Sequence, residues 1–211
     1  PGEVAVRVAG AGFRGIAGGG APPETTLEIR LYGCSIGAVQ VPPWVRLVAA
    51  GCSFDGGSRA GPAIQAGGSE VRLRHCTVHG TVEAGEMRAS SCAFAGGVSV
   101  DRQDRGWLRH SILPFEGRLP LRYQCIESRV GLLSVRPGSP EYLVLGGNNG
   151  EAALRAGEQG RFPGCHGDRQ ARLRELAERT ADFLPIGLLP FDLDRSAADL
   201  ARMSKPTRRI A

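Results

Sequence analysis

The chain has 211 residues, a formal net charge of +5 and 42% hydrophobic residues, enough apolar material for a buried core and too much for a disordered chain. No run of about 18 apolar residues, as a bilayer span would need, occurs, and there is no basic-then-apolar leader. The 31 glycines are about twice the usual share and imply many turns.

The chain starts at Pro1 rather than Met, which reads as a fragment or a processed product. Lys205 is the single lysine; every other basic residue is arginine. Along the chain these arginines are scattered and mostly flanked by acids, and only Lys205, Arg208 and Arg209 cluster. A phosphate-binding surface needs a dense basic stripe with interleaved aromatics, so the linear pattern predicts no nucleic-acid partner.

Taken in chain order, short segments repeat. Val6, Val8, Ala11 and Phe13 open the series, followed by Ile29, Leu31, Cys34, Ile36 and Val39, then Leu47, Ala49, Cys52 and Phe54. Val71, Leu73, Cys76, Val78 and Val82 come next, then Met87, Ala89, Cys92, Phe94 and Val98, then Leu108, Ser111 and Leu113. Within each copy apolar residues alternate, as in a strand with one buried face. Two filler residues break the alternation, and a second short strand follows. Glycine-rich links such as Asp55–Ser58 and Ala66–Ser69 separate the copies.

One column of this alignment runs Ala11, Cys34, Cys52, Cys76, Cys92, Ser111, with gaps of 23, 18, 24, 16 and 19 residues. Short strands, sharp bends and a period near twenty predict an all-β right-handed parallel β-helix of about six coils. The hairpin turns of a sandwich are missing apart from Asp55-Gly56. Stacked coils lie about 4.8 Å apart, so equivalent positions form ladders. The column then faces a tight interior that takes Ala, Ser or a free Cys as a small buried side chain. Ladder-spaced cysteines have parallel Cβ vectors, which disfavours disulfides. Cysteines 16 to 24 residues apart on one line also fail to converge on a tetrahedral zinc. His75, at a bend, and His79, on the outer face, complete no metal set with Cys76. No catalytic, cofactor-binding or metal residues are assigned, and no cofactor is implied.

Residues 1–125 are read as the solenoid and 126–211 as capping strands and loops with a helical extension. After Phe115 the period is lost, and an end cap is expected because the last coil leaves open strand edges. Asp168 is an N-cap for a helix whose stripe is Leu173, Leu176, Ala177, Thr180, Phe183 and Leu184, ended by Pro185 and Gly187. A shorter helix runs from Asp194 to about Met203. Gly146–Gly150 precedes a helix start at Glu151 and lacks the Lys-Ser/Thr of a phosphate loop. Asp192 and Asp194 resemble a metal-binding Asp-x-Asp pair, but helix capping explains Asp194 and chance explains Asp192.

The coil pattern resembles the right-handed parallel β-helix superfamily, which includes pectate lyases, polygalacturonases and phage tailspikes and in which the bend position is often an Asn or Cys ladder. A closer resemblance spans about residues 45–190. It rests on Val71–Gly80, Trp107–Pro114, Arg122–Cys125, Gly138–Tyr142, Arg172–Leu176 and Leu184–Leu188. It is to the C-terminal region of large bacterial proteins that look like components of phage-tail-like, contractile injection particles. That resemblance implies a structural or binding module among other chains of a larger assembly, or a homo-oligomer, with a glycan as an allowed ligand. Such a particle would assemble in a reducing cytosol before release, which suits free thiols.

The competing reading is a carbohydrate-active enzyme on the same scaffold. It requires two or three carboxylates gathered on one outer face. Glu28, Asp55, Glu70, Glu83, Glu86, Asp101 and Asp104 are the acids of the coil region. The sequence register puts most of them in different columns, sets Glu83 and Glu86 opposite Ser or Gly, and leaves Asp101 and Asp104 as the best pair.

Overall fold

The computed structural model describes strands Val4–Ala9 and Gly12–Ala17 and residues 27–167, without 116, 138, 140, 147 and 148. The chain winds into a parallel β-solenoid of about six turns. Three stacks of strands form its walls. The first contains β1 (Val4–Ala9), β3 (Leu27–Tyr32), β5 (Val45–Ala50), the end of β7 (Pro62–Arg74), the end of β9 (Thr81–Ser90), β12 (Gly106–Arg109) and β15 (Leu121–Tyr123). The second contains β2 (Gly12–Ala17), β4 (Ser35–Gln40), β6 (Ser53–Asp55), β8 (Thr77–His79), β10 (Ala93–Phe94), β13 (Ile112–Leu113) and β16 (Ile126–Glu127). The third joins the end of β4, the starts of β7 and β9, β11 (Val98–Val100) and β14 (Gly117–Arg118).

The alternation in the sequence becomes the wall. Leu31, Leu47, Val71, Leu73, Met87 and Leu108 point inward from the first stack, and Ile36, Phe54, Val78, Phe94 and Leu113 from the second; all are buried. Truncating such a Phe to Ala costs about 3–5 kcal/mol. The upstream copy joins the same register, with Val6 beside Ile29, Val8 beside Leu31 and Phe13 beside Ile36.

The two fillers form the corner between the first and second walls. The second filler is left-handed in every described coil: Gly33, Gly51, His75, Ser91, His110 and Gln124 have φ between 49° and 63°. Four of these are not glycine, although the left-handed region costs an ordinary residue about 1–2 kcal/mol. Each coil ties its neighbour down there, as in Gly51 N–H to the Arg74 carbonyl (2.9 Å) and His75 N–H to the Ser90 carbonyl (3.0 Å).

The winding continues beyond the point where the sequence period fades. β15 pairs parallel with β12 and β16 with β13, so Leu121–Glu127 makes one more coil. Pro120 precedes β15, where its missing N–H breaks no ladder bond.

The described part of the C-terminal segment lies along the flank of the solenoid. From Ser128 the described chain turns back along the outside of the second wall. Val130, Leu145, Ala153, Leu154 and Ala156 pack on Ala93, Ala95 and Ile112 as a second apolar cluster. The reason lies in the outer face of that wall, which is Ala and Ile at its C-terminal coils and needs cover. α1 (Glu151–Leu154) lies in this strap, shortly after Asn149, whose N–H donates to the Gly146 carbonyl at 3.2 Å. Polar ties reach further back: Cys165 N–H donates to Thr77 Oγ1 (3.1 Å), Glu158 N–H to Ser91 Oγ (3.0 Å), and Gly164 N–H to the Ser91 carbonyl (2.8 Å). Ala11, the two helices expected after Asp168, Asp192 and Asp194, and the basic cluster around Lys205 lie outside the described residues.

Candidate functional site

The sulfur column is interior. Cys34, Cys52, Cys76 and Cys92 are buried free thiols and Ser111 is a buried hydroxyl. Each side chain donates to the carbonyl two residues back: Cys34 to Tyr32 (3.3 Å), Cys52 to Ala50 (3.4 Å), Cys76 to Arg74 (3.3 Å), Cys92 to Ser90 (3.2 Å) and Ser111 to Arg109 (2.7 Å). Several also accept the backbone N–H of the preceding coil, as Cys52 Sγ does from Cys34 (3.4 Å) and Cys92 Sγ from Cys76 (3.5 Å). The column therefore relays hydrogen bonds as well as filling space. Cys125 continues it with a bond to the Tyr123 carbonyl (3.5 Å). The sequence alignment missed Cys125; its signal was the Tyr-Gln-Cys-Ile order, which repeats filler, filler, Cys, apolar. Burial pushes the Cys76 thiol well up, and its bond to Cys76 together with burial does the same to Cys52. These are structural thiols, held in the unreactive protonated form.

His75, Cys76 and His79 point in different directions. Cys76 faces the lumen, His75 occupies the bend, and His79 faces outward from β8 but is buried beneath the strap, not exposed. Its Nδ1 lies 2.8 Å from Asp55 Oδ1, while the Tyr142 hydroxyl donates to Asp55 Oδ2 at 2.6 Å. Burial raises the Asp55 pKa, but bonds from Tyr142, His79 and the Gly57 amide outweigh it and leave the carboxyl below its ordinary range. Burial pushes the nearby Cys165 thiol up to about 11. The trio fastens the strap.

The outer face of the first wall is where charge gathers. Arginines scattered along the chain fall into columns. Register places Arg72 beside Arg88, Arg88 beside Trp107, and Trp107 beside Leu121. A parallel column runs Tyr32, Ala50, Arg74, Ser90, Arg109, Tyr123. The third column holds the acids: Glu28 pairs with Arg46, and Glu70 with Glu86. Glu86 thus faces Glu70, not Ser or Gly. The cause is a bulge in β7, where Ala66 and Glu70 are four residues apart while their partners Ala84 and Glu86 are two apart.

These glutamates are consumed by arginines. Glu28 is bonded to Arg30 and lies 3.2 Å from Arg46. Glu70 lies 2.8 Å from Arg46, 2.7 Å from Arg72 and 3.5 Å from Arg88. Glu86 is 3.3 Å from Arg102 and 3.2 Å from Arg105. Burial raises the pKa of Glu28 and of Glu70, but their guanidinium partners outweigh it and hold both below the ordinary carboxylate range. Glu28 and Glu70 stand two coils apart, about 9.6 Å by strand spacing, with Arg46 between them. Asp101 and Asp104 are exposed, and Asp101 braces its loop by accepting the Gly68 N–H (3.1 Å). Glu83 sits apart on the third wall, between Gln65 and Ser99.

Beside the acidic column the face carries arginines and aromatic rings and no acidic residue. The Arg109 guanidinium lies 4.6 Å from the Trp107 ring centre. Tyr123 is 60% exposed and meets His110 edge-on at 5.9 Å. Among the described residues, no group of three or more His, Cys, Asp or Glu is arranged to hold a metal ion, and no helix is long and apolar enough to cross a membrane. Comparison with protein-family models, curated proteins and solved structures returns no match, so this is a parallel β-solenoid assigned to its architecture by its own strand register.

Proposed function

We propose that the chain is a non-enzymatic structural and binding module, a rigid shaft or surface component whose outer walls meet a ligand or partner chain. The observation that carries this reading is the state of the outer glutamates. A glycosidase-type mechanism needs a carboxylic acid kept protonated by a raised pKa beside a second, ionised carboxylate. Glu28 and Glu70 are shifted the opposite way by the arginines that bind them, which suits a rigid ion-pair lattice. The resemblance of Val71–Gly80 and Trp107–Pro114 to phage-tail-like, injection-type proteins supports placing the module in a large bacterial particle.

Two measurements test it. Incubation with acidic and neutral polysaccharides should release no new reducing or unsaturated ends; release that disappears in Glu70→Gln or Glu86→Gln would establish the enzyme instead. Imaging of the parent protein in its native particle should show the solenoid as a fixed part of the body. A parent protein that assembles with nothing would remove the particle reading.

A further inference from the structure

We propose that the basic and aromatic strip of the first wall binds single-stranded nucleic acid. The strip holds Arg72, Arg74, Arg88 and Arg109, with Trp107 and Tyr123 at its C-terminal end, and none of its positions is acidic. Arg74 and Arg109 are exposed, and among the described residues no carboxylate lies within ion-pair distance of either. Arg72 donates to Glu70 through Nε at 2.7 Å, which engages one of its five donors, and Arg88 Nε only approaches the same carboxylate, at 3.5 Å. Glu70 therefore positions these two arginines more than it spends them.

Geometry selects the partner. Coils at about 4.8 Å spacing set these arginines in two adjacent parallel columns along the axis, a track for one phosphate backbone. The wall is a sheet face, whereas reading a duplex needs an element inserted into a groove. The exposed Arg109 guanidinium over Trp107 and the exposed Tyr123 ring offer flat surfaces of the kind on which unpaired bases stack, worth about 1–3 kcal/mol per base on an aromatic ring. An acidic polysaccharide would satisfy the arginines but has no planar ring to place there. The charge pattern along the sequence argued against nucleic acid; the stacking of coils removes its premise.

The test is titration of a fluorescently labelled oligothymidine about 15 nucleotides long, a length chosen to cover the site sizes of single-strand binders. Binding is read by anisotropy, and stacking by quenching of tryptophan emission in Trp44→Phe, which leaves Trp107 as the single tryptophan. Expected are saturable binding with quenching, affinity falling with added salt, and at least a tenfold loss in Arg74→Ala/Arg109→Ala with unchanged circular dichroism. Heparin serves as the stacking-free polyanion and should bind without quenching. If Trp44→Phe does not fold, the anisotropy arms on the parent chain and the arginine variant still decide. No binding at low salt, binding indifferent to the arginine variant, or heparin binding more tightly than the oligonucleotide would each overturn the proposal, the last marking the face as a glycan surface.

Discussion

The backbone N–H of Cys92 donates to the Ser111 hydroxyl at 3.0 Å, one coil further along, and that hydroxyl donates onward to the Arg109 carbonyl. A left-handed residue stands before each described column position, and the corner turns the following N–H away from the strand ladder, while the carbonyl two residues back keeps a backbone N–H from the neighbouring coil, as the Ser90 carbonyl keeps that of His75. A short side chain that accepts takes up that N–H and donates a second bond to the carbonyl. Ser and Cys do this; Ala fills the space and leaves the N–H bare.

Cys92→Ser should therefore be nearly silent, within about 1 kcal/mol, while Cys92→Ala should cost about 1–3 kcal/mol as the buried Cys76 N–H loses its partner. Urea denaturation with unchanged m values checks this. Equal effects of the two substitutions would reduce the column to packing alone.

Gly51 and Gly106 should fail for different reasons. A Cβ on Gly51, at φ 63°, has no neighbour closer than 3.9 Å, so Gly51→Ala should lose about 1–2 kcal/mol from left-handed strain alone. A Cβ on Gly106 would stand 2.1 Å from the Met87 carbonyl oxygen. Gly106→Ala must push adjacent coils apart, and a loss of at least about 4 kcal/mol is expected. Thermal melts should rank the two in that order.

Acid should weaken the lattice through Glu28 and Glu70. Their folded pKa values are lowered, so their contribution is present above the unfolded glutamate value of about 4.3 and is lost as pH falls through the folded values. Glu70→Gln should destabilise by about 1.5–3 kcal/mol at neutral pH, the range for hydrogen bonds to charged groups. The gap from the parent chain should close on acidification. A pH-independent gap in denaturation free energy would contradict the ion-pair account.

Asp55→Asn should loosen the strap without unwinding the coils. Tyr142 and His79 both depend on that carboxylate, while Ala93, Ala95 and Ile112 hold the strap by apolar contact elsewhere. Amide hydrogen exchange should quicken across 141–167 and stay slow in β8 and β10. Uniform acceleration would mean that the strap and solenoid open as one unit.

The solenoid was legible in the sequence because its cause is local. Alternating apolar residues, two fillers and a small polar residue recur in each coil, and each feature acts within about ten residues. Cys125 escaped because Pro120 and the exposed Leu121 and Tyr123 obscure the alternation in the final coil. Three things were decided only in the folded molecule. The bulge at Ala66–Glu70 shifted register and set Glu86 against Glu70. The strap lies along the flank because apolar Ala93, Ala95 and Ile112 are there to be covered. Arginines separated by 16 residues or more became neighbours, as Arg72 and Arg88 did, because coils of unequal length still close on the same strand spacing. Local periodicity dictates that the ribbon winds; which outward side chains meet depends on how much chain each turn consumes, and only the stacked coils reveal that length.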